Sequence, residues 1–180
     1  MNLPALLSTD ERIKILRGVI FHEGKLNVNQ TAKDIRLSNG MISKYFKYLC
    51  KDGVMKRTGK DFHIHENAST KALKILLNLD MFDANLFKKY QFVKSAGLYG
   101  SVARGTNTER SDVDLWMYIE KAKEEDMARL TSDLRKKLGN VRPLYLTDER
   151  IAHLKSDDVI FYHALVFGSI VVYGDGIEAV

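Results

Sequence analysis

Cysteine is nearly absent from this sequence: Cys50 is the only one in 180 residues. That excludes an internal disulfide framework and a zinc site built on several thiolates, so any metal must rest on oxygen ligands. Long hydrophobic runs are missing too. The longest, Ala164 to Tyr173, is broken by Gly168 and Ser169 and falls far short of the roughly 20 residues a membrane helix requires, so no membrane partner is expected. The opening residues, Met1 to Ser8, have no basic residue ahead of their apolar patch and no long apolar core. They do not read as a secretory signal, and the expected location is cytoplasmic. With 45% hydrophobic and 28% charged residues, wholesale disorder is excluded and one or two compact domains are expected.

An excess of acid is also lacking. The formal net charge is +5, and it is concentrated at one end: residues 1–70 hold 12 Lys+Arg against 7 Asp+Glu, whereas residues 71–180 hold 16 of each. A basic domain joined to a neutral one suggests that the first meets a polyanion and the second does something else. A merely solvated basic surface is the plain alternative.

In the basic half, Ser8 and Glu11 have capping-box spacing and are followed by Ile13, Ile15, Leu16, Val19 and Ile20 at helical intervals. The pattern predicts a helix over about 9–22. A second helix is predicted over 29–36. A third, capped by Ser38 or Asn39, places Ile42, Tyr45, Phe46 and Leu49 on one face, and Gly53 ends it. Residues 54–65 read as two short strands around a Gly59-Lys60-Asp61 turn. Three helices and a basic hairpin in this order resemble a winged helix-turn-helix, the likeness resting on the run from Thr31 to Arg57. That resemblance implies duplex DNA as a partner. Asn39, Gly40, Ser43, Lys44 and Lys47 would face the major groove, with Arg57 and Lys60 on the wing. Winged helices also dock proteins, and the third helix has no arginine, so a protein partner stays open. Tyr45, Phe46 and Cys50 read as core residues.

In the neutral half, Ala72, Leu73, Leu76, Leu77 and Leu79 form a helical stripe that links the halves, and residues 84–90 form a second helical piece. A strand is predicted over 93–99 and a loop over 100–110. Next, Asp112 to Ile119 alternates: Val113, Leu115, Met117 and Ile119 on one face, Asp112, Asp114, Trp116 and Tyr118 on the other. This predicts a half-buried strand with an acidic end. A helix stopped by Gly139, a strand over 141–146, helices over 148–154 and 157–167, and a last strand over 170–173 complete the pattern. The expected fold class is α+β, with a winged helix-turn-helix over 1–66, linking helices over 67–90 and a catalytic domain over 91–180. A homodimer is kept open.

The most specific stretch runs from Gly97 to Met117: Gly100-Ser101, ten residues, then Asp112-Val113-Asp114. Gly100 lets backbone approach a ligand, Ser101 adds a hydroxyl donor, and the following turn can offer amide N–H groups to phosphate oxygens. Two carboxylates two residues apart on one strand project together, suited to a hard divalent cation such as Mg²⁺. This stretch strongly resembles the signature of the DNA polymerase β-like nucleotidyltransferases. With Ala103-Arg104-Gly105 and Ser111 it is similar to the minimal, antitoxin-type members of prokaryotes, over about residues 80–175.

The resemblance implies a mixed sheet with helices and roles for individual residues. Gly100 and Ser101 would bind the β- and γ-phosphates of ATP or another NTP, with Arg104 balancing charge and Ser111 beside the nucleotide site. Asp112 and Asp114 would be the catalytic carboxylates and ligate Mg²⁺. The implied acceptor is a protein hydroxyl, on a HEPN-domain ribonuclease toxin. Many members carry a third carboxylate on the next strand, but residues 140–147 contain no acid, and Asp148 just beyond reads as the N-cap of the next helix. A degenerate, nucleotide-sensing transferase domain on a DNA-binding regulator is therefore the competing reading, and nucleotidylation of a small molecule is a third. His153 and His163 have no partner spacing and read as ordinary helix residues.

Overall fold

The computed structural model describes residues 1–179, which pack as two compact units: residues 1–77 with 107–109, and residues 78–106 with 110–179. The first unit begins with a short helix the periodicity did not show, α1 (Leu3–Leu7), started by the Asn2 side chain and Pro4 in its first turn. Helix α2 (Asp10–Val19) is capped by Thr9, whose hydroxyl accepts the Arg12 N–H at 3.3 Å. Ser8, the expected cap, instead accepts from Arg12 Nη1 at 2.7 Å. Helix α3 (Val28–Ile35) is capped by Asn27, and α4 (Asn39–Lys51) by Ser38.

The face of α4 carrying Ile42, Tyr45, Phe46 and Leu49 is buried against Leu6, Ile15, Leu16 and Val19 of α1 and α2. Tyr45 donates its hydroxyl to the Leu6 carbonyl at 2.9 Å, which pins α1 to this core. Strands β1 (Met55–Thr58) and β2 (Asp61–Ile64) form an antiparallel hairpin, turned at Gly59 with φ of 63°. Leu26 joins its edge through reciprocal backbone bonds with Phe62 of 2.8 and 3.0 Å. Helix α5 (Ala68–Leu79) follows.

In the second unit, α6 (Asn85–Lys88), β3 (Val93–Leu98), α7 (Gly100–Arg104), β4 (Val113–Ile119), α8 (Glu124–Leu138), β5 (Val141–Leu146), α9 (Asp148–Asp157), α10 (Val159–Gly168) and β6 (Ile170–Tyr173) follow in order. The sheet order is β5-β4-β3-β6; β4 and β5 run parallel, and the other pairings are antiparallel. Helices cover both faces. Val113, Leu115, Met117 and Ile119 pack with Leu130 and Leu134 of α8 and Phe87 of α6. The opposite face packs Trp116 and Tyr118 with Ile151 of α9 and Leu165 of α10.

The alternation along β4 is therefore as expected, but the half-buried assignment is corrected: Trp116 is 0% exposed and Tyr118 only 7%. Aromatic side chains on the supposed open face are what a second layer of helices covers. Asp148 also departs from expectation. Thr147 is the N-cap of α9, accepting the Arg150 N–H at 3.3 Å, while Asp148 accepts the Tyr118 hydroxyl at 2.7 Å. That bond, together with burial, pushes the Tyr118 phenol up to about 12. Among the described residues, no helix is long and apolar enough to cross a membrane.

Candidate active site

Where β3 ends, β4 and β5 begin, so one rim of the sheet collects the ends of three strands. Leu98 pairs with Leu115, the Tyr99 N–H donates to the Asp114 carbonyl at 3.1 Å, and Val113 pairs with Val141. The stretch expected as a loop opens with a helical turn, α7, entered through Gly100 with φ of 67°. It closes at Gly105, whose φ of 64° lets the Thr106 N–H reach the Ser101 carbonyl at 3.0 Å. From below, the buried Asn78 amide donates to the Val102 carbonyl at 2.9 Å and seats the turn.

Gly100 lies directly against the carboxylate of Asp114: a Cβ placed on it would collide with Asp114 Oδ2. The glycine-serine turn and the second aspartate are thus in contact across the rim. Ser101 and Ser111 are half-buried nearby in the chain, and Arg104 is exposed on α7.

The two aspartates differ in their surroundings. Asp112, with its side chain 19% exposed, is met by Arg142 Nε at 2.6 Å and closely by the Asn140 side-chain amide. Asp114 has its carboxyl held above the usual carboxylate range, chiefly by burial and also by the charge of Asp112. Arg142 and Arg104 act in the opposite direction without cancelling that effect. The Tyr99 phenol is raised too, by burial and by Asp114.

A desolvated carboxylate beside a second one is a pair short of positive charge. Among the described residues no third Asp, Glu, His or Cys joins them in a metal-binding cluster. Two carboxylate oxygens in a rim open to further oxygen ligands suit Mg²⁺, which keeps several waters and is completed by substrate phosphates. A softer metal needing nitrogen or sulfur has nothing to hold it here.

Asn78, Tyr99, Asn140 and Arg142 carry no motif that marks them in the sequence. Arg142 does carry a signal: it is the one charged residue in a strand that lacks an acid, and the parallel register places it opposite Asp114. His153 pairs with Asp157 within α9 at 2.7 Å and His163 stacks on Phe167 within α10, as ordinary helix residues do.

In the first unit, Ser43, Lys47, Arg57 and Lys60 line one cleft of about 400 Å³ between α4 and the hairpin. Arg57 lies over the Phe62 ring at 5.7 Å and donates from Nε to the Gly59 carbonyl at 2.9 Å. Lys44 and Gly40 belong to a different cleft with Arg12 and Tyr48, and Asn39 to a third with Lys33.

A four-stranded mixed sheet clothed by helices, with a glycine-serine turn facing paired aspartates, is a nucleotidyltransferase arrangement. The family described as "Polymerase beta, Nucleotidyltransferase" matches residues 84–175, and the chain belongs to it. Two solved structures align with part of the chain at low similarity. One is described as a toxin-antitoxin with AMP-PNP: 18% identity, TM-score 0.35, covering 61% of this chain and 75% of that one. The other is a nucleotidyltransferase from Sulfolobus solfataricus: 16% identity, TM-score 0.38, covering 59% and 87%. No curated protein matches the sequence.

Proposed function

We propose that this chain transfers a nucleoside monophosphate, AMP from ATP, to a protein hydroxyl in a Mg²⁺-dependent reaction. The observation that carries the reading is the contact of Gly100 with the Asp114 carboxylate, which sets a turn suited to phosphates against two carboxylates suited to a divalent cation. Gly100 and Ser101 would receive the β- and γ-phosphates, Arg104 would balance their charge, and Ser111 would line the nucleotide site. Asp112 and Asp114 would hold Mg²⁺, which when bound supplies neutralisation at the α-phosphate and the leaving group.

The acceptor oxygen forms a bond to the α-phosphorus. The bond from that phosphorus to the bridging oxygen breaks, and pyrophosphate leaves with the electron pair. The acceptor proton passes to solvent, because β5 presents no carboxylate to receive it. General-base help is typically worth about 10²–10⁴-fold, so transfer should be slow, and easier to a tyrosine phenol than to a serine.

The likeness of the Gly97–Met117 stretch to antitoxin-type members supports a HEPN-domain toxin as the acceptor. Mass spectrometry of the cognate partner after incubation with Mg-ATP tests this: we expect a gain of one AMP, slow, abolished in Asp112→Asn and reduced in Ser101→Ala. A partner that binds without ever gaining nucleotide mass would establish the sensor reading instead. One observation favours that second reading, namely that Arg142 already occupies one of the two carboxylates.

The first unit we read as a winged helix-turn-helix that binds duplex DNA, with Ser43, Lys47, Arg57 and Lys60 around one cleft as its core and Asn39 and Lys44 flanking it. Binding to duplex DNA should weaken with salt, and removing Lys47 or Lys60 should flatten the log–log slope by roughly one unit each. Salt-insensitive binding, or none by the full chain, would favour a protein-docking role.

A further inference from the structure

Arg142 has no part in the proposed reaction so far, yet it makes the shortest ion pair at the rim. It stands on β5, the edge strand next to β4, in register with Asp114, so the pleat puts it on the same sheet face as both aspartates. Its Nε meets Asp112 Oδ2 at 2.6 Å, yet 72% of its side chain is exposed. The other strand residues, Val141, Pro143, Leu144, Tyr145 and Leu146, carry no charge. Asn140, just before the strand, holds the second oxygen of Asp112. Asp112 is therefore already neutralised by the protein, and Asp114, which no cation among the described residues contacts in this way, is desolvated beside it.

A fixed cation in contact with a metal-binding carboxylate has two consequences. It competes with a divalent ion for that carboxylate. An exposed guanidinium is also a planar, always-charged donor set that suits phosphate oxygens, so an arriving nucleotide gives it an alternative partner.

We propose that Arg142 is a phosphate-binding residue that passes from Asp112 to the arriving nucleotide, so that the site takes its divalent cation together with the nucleotide. The inference rests on the nucleotidyltransferase reading above. It makes metal and nucleotide loading cooperative, since Asp112 is freed for the cation only when phosphate draws Arg142 away.

The test uses the full chain, Mn²⁺ as the probe cation and a non-hydrolysable ATP analogue, with calorimetry for affinity. In Arg142→Ala, Mn²⁺ alone should bind more tightly, and the analogue with Mn²⁺ should bind roughly tenfold more weakly, the two effects having opposite sign. Arg142→Lys, which keeps the charge, should lie between wild type and Arg142→Ala on both measures. Effects of the same sign in Arg142→Ala, or no effect on either, would overturn this role for Arg142 while leaving the transferase reading intact. Failure of wild type to bind the analogue with Mn²⁺ at all would overturn both.

Discussion

In Asp114→Asn, Mg²⁺-dependent ATP binding should fall at least about 100-fold, since changes one shell further out typically cost 10–100-fold in metal affinity. At the same time the metal-free protein should become more stable at neutral pH. Burial and the neighbouring Asp112 hold the Asp114 carboxyl above its ordinary range. A raised carboxyl favours the folded state below the ordinary carboxylate pKa, and that contribution is lost as pH rises through the folded value. At neutral pH the wild-type group is charged where charge is disfavoured, and asparagine removes that penalty. Thermal melts with chelator from pH 3 to 8 should therefore show the two proteins converging in acid and separating toward neutrality, with the variant higher.

Asp112→Asn gives the contrast. It should lose the same metal-dependent binding but gain no such stability, because Arg142 and Asn140 already compensate that carboxylate. Undiminished Mg-ATP binding in both variants would remove the metal assignment, and equal melting curves for Asp114→Asn would remove the electrostatic account of its environment.

Gly100→Ala is expected to be the most damaging change that alters no functional group. Its φ of 67° puts any side chain in the left-handed region, a penalty of about 1–2 kcal/mol. The added methyl would also strike the Asp114 carboxylate. Relief requires moving either the turn or the aspartate, and a misplacement of about 1 Å can cost 10²-fold in rate. Nucleotide transfer should fall by about that factor, with a loss of thermal stability. Ser101→Ala, which removes one hydroxyl without touching the backbone, should do far less. Equal losses in the two variants would mean that the turn is not held by its fit to Asp114.

Much of this arrangement was legible in the sequence because it is local. The α4 stripe of Ile42, Tyr45, Phe46 and Leu49, the Gly59 turn, and the strands over 141–146 and 170–173 follow from periodicity and turn chemistry within a few residues. What the sequence concealed depends on partners far along the chain. Trp116 and Tyr118 alternate correctly, but nothing in β4 announces that α9 and α10 will cover them. Asp148 looks like a cap until the Tyr118 hydroxyl claims it and Thr147 takes the capping role. Gly100 reads from the sequence as the start of a loop, and its fit against Asp114 exists only once β3 and β4 are paired. Arg142 becomes part of the site solely through the parallel register that sets it beside the aspartates.

The amide of Asn78 has a practical bearing on how the nucleotidyltransferase-family unit can be cut out. A fragment trimmed to residues 84–175 would keep the glycine-serine turn, both aspartates and Arg142, yet discard the buried side chain that seats the Val102 carbonyl beneath the turn. Its boundary would fall inside the compact unit, which begins at Asn78 within the last turn of α5. Borders drawn by family likeness and borders drawn by packing differ here by half a dozen residues, and an excised fragment must honour the second.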